Sequence, residues 1–191
     1  MKKFLKSILI LSLLVFLSCC AFDEVSTDSS KITRNKDTLI TSIKEEAELI
    51  DGEKDLKRKI LDNEWFVDHD VVRDAGTQLD GYFKDGKIFK IVETRGQSFE
   101  LQTYEYYYLD EQLIMIHEIN EIFPYIEETG AMDYTNLKRE FEGYYFVNDG
   151  EIVEMKTAGT KRSPPPMSEE EFVSALISSS KENVELLTTG L

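Results

Sequence analysis

The sequence predicts an α+β fold: N-terminal helices, an antiparallel β-meander of about six strands with aromatic hairpins, and a C-terminal helix packed on the sheet. Three observations lead to it. Apolar residues recur at helical spacing after Thr38, an irregular aromatic–turn–aliphatic pattern repeats through the middle, and a capping box opens the last stretch.

Leu39, Ile40, Ile43, Ala47 and Ile50 recur at intervals of three and four, so residues 38–50 form an amphipathic helix that Asp51-Gly52 can end. Leu56, Ile60 and Leu61 suggest a second short helix over 54–61, and Glu64-Trp65-Phe66-Val67 a first extended segment. Three hairpins follow. Tyr82-Phe83-Lys84-Asp85-Gly86-Lys87-Ile88, Tyr107-Tyr108-Leu109-Asp110-Glu111-Gln112-Leu113 and Phe146-Val147-Asn148-Asp149-Gly150-Glu151-Ile152 each join aromatics to aliphatics through a polar turn. Asp-Gly suits a two-residue turn in which both residues need positive φ. Asp110-Glu111 is a poorer turn and fits a longer loop. Regular hairpins would pair Phe83 with Ile88, Tyr108 with Leu113 and Val147 with Ile152. The next rungs would pair Tyr82 with Phe89, Tyr107 with Ile114, Phe146 with Val153, and further along His117 with Tyr104. Both sheet faces are then apolar near the turns, so either both are covered or one exposes an aromatic patch. Pro164-Pro165-Pro166 stops the last strand. Ser168 with Glu171 caps a helix using Phe172, Leu176, Ile177, Val184 and Leu186, with a break in spacing at Ser178-Ser179-Ser180.

The first residues read as a leader. Lys2, Lys3 and Lys6 precede an apolar run from Ile8 to Leu17, shorter than a membrane span. Leu17-Ser18-Cys19-Cys20 resembles the lipobox of bacterial lipoproteins, in which a small residue precedes the lipid-bearing cysteine. Ser18 is that residue if Cys19 is modified; if Cys20 is modified, Cys19 takes its place. The resemblance implies a signal peptide over 1–18, a lipid-anchored tether over 19–37 and a single domain over 38–191. It implies a palmitate-type anchor at the outer membrane, on the periplasmic or the surface side. Asp23 and Glu24, close behind the lipid site, resemble the acidic tag that some Gram-negative bacteria use for surface export.

The hairpin-rich middle, led by Asn63-Glu64-Trp65-Phe66 and Leu79-Asp80-Gly81-Tyr82-Phe83, resembles a group of uncharacterised lipoproteins of Gram-negative bacteria. That resemblance brings no activity and no catalytic residue.

Composition narrows the function. Both cysteines lie at the lipobox, so no disulfide and no catalytic thiol belongs to the folded part. The net charge is −15, and loss of the three leader lysines deepens it by three. Such a chain repels nucleic acid and anionic bilayers, so its membrane contact is the lipid itself. No phosphate-binding glycine loop and no G-x-S-x-G elbow occurs. His117-Glu118 lacks the second histidine of a zinc protease, because Glu121 stands in its place. Asp68 and Asp70, with Asp74 nearby, are the candidate cation ligands, calcium being the ion that clustered carboxylates favour. Otherwise no cofactor is implied. Tyr104, Tyr106, Tyr108 and Tyr144 are the candidate ligand face, a stacking platform for glycan, against the alternative that they form the sheet core. The long connection from Asn120 to Asn136, with Phe123, Tyr125 and Tyr134, either grips a ligand or packs on the sheet edge. The reading is a lipid-anchored, non-enzymatic binding or accessory module whose partner is a glycan or an envelope protein. The alternatives are a carboxylate-based glycan hydrolase and a structural protein bridging envelope components.

Overall fold

The computed structural model describes residues 29–73, 76–161 and 166–189, with side chains from Asn35 onward. The leader, Cys19, Cys20, Asp74, Pro164 and Pro165 lie outside the described residues.

Among the described residues the elements run α1 (Ser29–Gly52), β1 (Lys57–Leu61), α2 (Asn63–Asp68), β2 (Thr77–Lys84), β3 (Lys87–Gly96), β4 (Glu100–Leu109) and β5 (Gln112–Ile122). There follow a small hairpin β6 (Tyr125–Ile126) and β7 (Ala131–Met132), then β8 (Lys138–Asn148), β9 (Glu151–Gly159) and α3 (Glu169–Thr189). Seven strands form one antiparallel sheet in the order β1-β2-β3-β4-β5-β8-β9, an α+β meander in which only the β6–β7 excursion interrupts the succession.

The hairpins β2–β3, β4–β5 and β8–β9 carry the same irregularity, which β3–β4 lacks. Phe83↔Ile88, Tyr108↔Leu113 and Val147↔Ile152 pair as expected. The next partners are Tyr82↔Lys90, Tyr107↔Met115 and Phe146↔Glu154, one residue beyond the regular register. A β-bulge therefore inserts Phe89, Ile114 and Val153, and all three pack on the α1 side of the sheet. This is why both faces are apolar near the turns: each bulge sends one additional apolar side chain toward α1. The Asp110-Glu111 turn is not a longer loop. It adopts the two-residue geometry of its Asp-Gly counterparts, with φ of 47° and 65°, against 51° and 80° at Asp85-Gly86.

The two helices take opposite faces. Tyr104, Tyr106, Tyr108, Ile91, Ile116, Tyr145 and Val147 meet Val173, Leu176, Ile177 and Leu187 of α3. Ile40, Ile43, Ala47 and Ile50 of α1 meet Tyr107, Met115 and Phe146 on the other face. Both helices cross the strands starting from the β9 side. Lys36 pairs with Glu154 of β9 and Asp51 with Lys90 of β3, while Leu187 of α3 reaches Lys59 of β1.

Four expectations are corrected. The helix over 38–50 begins at Ser29, inside the expected tether, because neither Gly nor Pro stops it upstream; its buried face still begins at Ile40. Residues 57–61 are a strand rather than a helix: Leu56 packs toward α1 and Leu61 toward α3, so their apolarity serves two faces and not one helical stripe. Residues 63–68 are helical rather than extended, since Asp62 caps the turn by accepting the Trp65 N–H at 2.9 Å and Phe66 plugs the core. The C-terminal helix does not break at Ser178–Ser180. Its capping box forms, with the Glu171 carboxylate accepting from the Ser168 N–H at 2.9 Å. Its buried face simply runs through the polar residues Ser180 and Asn183.

Candidate binding cleft

The α3 face explains those polar residues. One rung across the sheet places Leu79, Glu93, Tyr104, Glu118 and Gly143 side by side. Glu93 and Glu118 are 0% and 1% exposed, a costly position unless each is fully paired. Both are. Glu93 accepts from Arg95 at 2.8 Å, the Tyr106 hydroxyl at 3.0 Å and Asn183 of α3 at 3.1 Å. Glu118 accepts from the Tyr145 hydroxyl at 2.6 Å and Lys161 at 2.8 Å. Gly143 makes room for this, because a Cβ there would lie 2.8 Å from the Tyr145 hydroxyl. Burial, together with these glutamates, pushes the hydroxyls of Tyr106 and Tyr145 well above the ordinary tyrosine range.

The four tyrosines expected to form one platform are therefore divided. Tyr104, Tyr106 and Tyr108 are core beneath α3, at 2%, 0% and 3% exposure, with the Tyr108 hydroxyl donating to the Ser180 carbonyl at 3.3 Å. Tyr144 lies on the opposite face, half-buried. The carboxylates of Asp68 and Asp70 are not aligned on a strand either: Asp68 ends α2 and Asp70 follows with φ of 54°. No cluster of three or more His, Cys, Asp or Glu side chains able to hold a metal occurs among the described residues. The 120–136 connection folds onto the sheet end, where Phe123 and Tyr134 rings meet at 5.1 Å and the Tyr134 hydroxyl donates to the Ser98 carbonyl.

The α1 face is built differently. The α1 helix covers the turn-proximal rungs, and beyond it the rung Asp80, Val92, Glu105, His117, Tyr144, Lys156 borders a cleft. The cleft holds about 360 Å³. Lys44, Glu48 and Asp51 of α1 form one wall, Glu105, His117, Tyr144 and Lys156 the other, and Met115 and Phe146 the floor.

His117 organises it. Its Nδ1 lies 2.8 Å from Glu105 and its Nε2 3.0 Å from Glu142, and its ring stacks on Tyr144 at 4.3 Å and 8°. A doubly protonated ring donates to both carboxylates, whereas a neutral ring would turn a lone pair toward one of them. Lys90 binds Glu105 at 2.8 Å and Asp51 at 2.7 Å, and the Tyr107 hydroxyl donates to Asp51 at 3.0 Å. Burial alone would raise the Glu105 carboxyl, but hydrogen bonds from His117 and Lys90 hold it down at about 2. Glu142 is likewise lowered, against its burial, by bonds from His117 and Tyr144.

The bulge in the β4–β5 hairpin hid this site from sequence reasoning. Its one-residue shift moves His117 from Tyr104 to Glu105, replacing a bland pair with a charged one. The signal was present in the Glu105–His117 spacing, given an odd residue inserted after the turn.

No protein-family model, curated protein or solved structure matches this chain.

Proposed function

We propose that the mature protein is a lipid-anchored, non-enzymatic binding module of the bacterial envelope, with its ligand seat in the α1 cleft. The observation that carries the seat is the preorganised wall of Glu105, His117, Tyr144 and Lys156 above an apolar floor. Convergent polar groups over an apolar floor are what small-ligand sites need. Tyr144 is the one member of the expected tyrosine face that remains at this opening, so a sugar ring or an amphipathic peptide side chain is the class it suits. A glycan hydrolase needs one carboxyl protonated near neutrality, a role that does not suit Glu105, whose carboxyl its partners hold well below the ordinary range. The anchor rests on the lipobox at Leu17-Ser18-Cys19-Cys20.

Two experiments test the two halves. Growth with an alkyne-tagged palmitate should label the chain, and Cys19→Ser should abolish the label; persistent labelling moves the anchor to Cys20, and no labelling of the unaltered chain removes it. A glycan and peptide screen monitored by NMR should shift the His117 ring signals, and Tyr144→Ala should erase the response. Hits that perturb only residues outside the cleft would refute the seat.

A further inference from the structure

The two edges of the sheet are guarded unequally. β1 is five residues long and carries Lys57, Arg58 and Lys59 in succession, with the Lys59 ammonium donating to the Leu187 carbonyl at 2.7 Å. Short, lysine-bearing edges resist pairing with another chain. β9 is nine residues long and has β8 on one side only among the described residues. Its bulge lies near the turn, opposite Phe146, so residues 154–159 run in regular register. Ile152, Val153 and Met155 are only partly buried along it. A groove of about 490 Å³ follows the strand, roofed by Glu170, Ser174 and Ile177 of α3. That is the space an eighth strand would occupy.

The charges on β9 say which strand. Register with Phe146 and Tyr144 places Glu154 and Lys156 on the α1 face and Met155 between them on the α3 face. We propose that β9 pairs antiparallel with β9 of a second copy of this chain, on a twofold axis through Met155. Glu154 then stands opposite the second copy's Lys156, and Lys156 opposite its Glu154. Within each chain these two already touch at 3.1 Å, with Lys36 of α1 on the same carboxylate at 2.8 Å, and the axis brings the second copy's Lys156 and Glu154 to this cluster. A twofold centred one residue either way would set Glu154 against Glu154 or Lys156 against Lys156, and like charges directly opposite destabilise a pair. On the other face Met155 meets its own copy beneath the two α3 helices. The acidic balance of −15 opposes any self-association, but at physiological salt such repulsion is screened beyond about 8 Å, while the cross-strand contacts lie inside that distance. The result is one continuous sheet with both clefts on the same side. Lys156 belongs to both the seam and the cleft wall, so the self-association is measured without ligand.

The test uses the full chain with Cys19 and Cys20 changed to Ser, in sedimentation equilibrium at physiological salt from micromolar to several hundred micromolar. A monomer–dimer equilibrium is expected. Lys156→Glu should weaken it by about tenfold, since two attractive contacts become repulsive. The swap Glu154→Lys with Lys156→Glu should restore it, with circular dichroism verifying that each variant is folded. A short bis-maleimide should join Met155→Cys chains into dimers and leave Lys57→Cys chains single. A monomer throughout the range overturns the proposal, as it would if an extended peptide were the natural occupant. So does a dimer indifferent to the charge changes, or one cross-linked equally through Lys57→Cys.

Discussion

The two faces of the sheet bury charge in opposite ways. Beneath α3, carboxylates are sealed from water and every one in the central rung is answered by a partner from the sheet, from α3 or from Lys161. Beside α1, the charges are denser but wetter: Glu105 and His117 side chains are 20% and 12% exposed, and they line an opening. A polar network that is closed and fully satisfied fixes one arrangement of the core. A network open to a cleft is set up to exchange partners. The same chemistry is thus sealed within the core on one face and left at the edge of a cleft on the other.

The sharpest way to break this contrast is at Glu93. Glu93→Ala should cost roughly 3–5 kcal/mol, because it leaves Arg95, Tyr106 and Asn183 facing an uncompensated cavity. Urea unfolding of residues 21–191 reads it, and a loss comparable to that of Tyr144→Ala would show the faces to be equivalent. On the cleft side the corresponding lever is pH. Glu105 sits at about 2 when folded, below its ordinary value of 4.5, so its contribution is complete above that ordinary value. It should fade as pH falls from 4.5 toward 2, a loss of roughly 2–3 kcal/mol. Glu105→Gln should flatten this acid limb in denaturation curves; an unchanged limb would assign it to other groups.

Gly143 sharpens the comparison locally. Gly143→Ala should cost about 1–3 kcal/mol by displacing the Tyr145 hydroxyl from Glu118. The change belongs to the α3 face alone, so the stacking of His117 on Tyr144, followed by the ring-proton shifts of His117, should be preserved. The smallest effect is a gain. Glu111 holds φ of 65° where the equivalent turn positions carry Gly86 and Gly150. Glu111→Gly should stabilise the domain by about 1 kcal/mol, seen as a higher denaturation midpoint; a loss would mean that the side chain does something in the turn.

Much of the architecture was legible because it rests on local chemistry. The Asp-Gly turns, the Ser168–Glu171 box and the three-four spacing from Leu39 to Ile50 each act within a few residues. What escaped depends on contacts far apart in sequence. The slip in the last helix reads as a break until Glu93, ninety residues away, is seen to need Asn183. Leu56 and Leu61 imitate a helical stripe because two opposite faces of one sheet each take one of them. The cleft was hidden by a single inserted residue, since a bulge changes every pairing beyond it while leaving the turn's own pairing intact.

The meander also governs when the molecule can close. Nearly every strand pairs with its neighbour in the chain, so hairpins can form as they are made. Two partners of the buried glutamates are not local: Lys161 and Asn183 lie 43 and 90 residues further along the chain. Until they arrive, Glu93 and Glu118 would face a bare sheet, and burying them would be unfavourable. The C-terminal helix is therefore the bolt on the structure: the sheet's buried charge is closed only once Asn183 is seated.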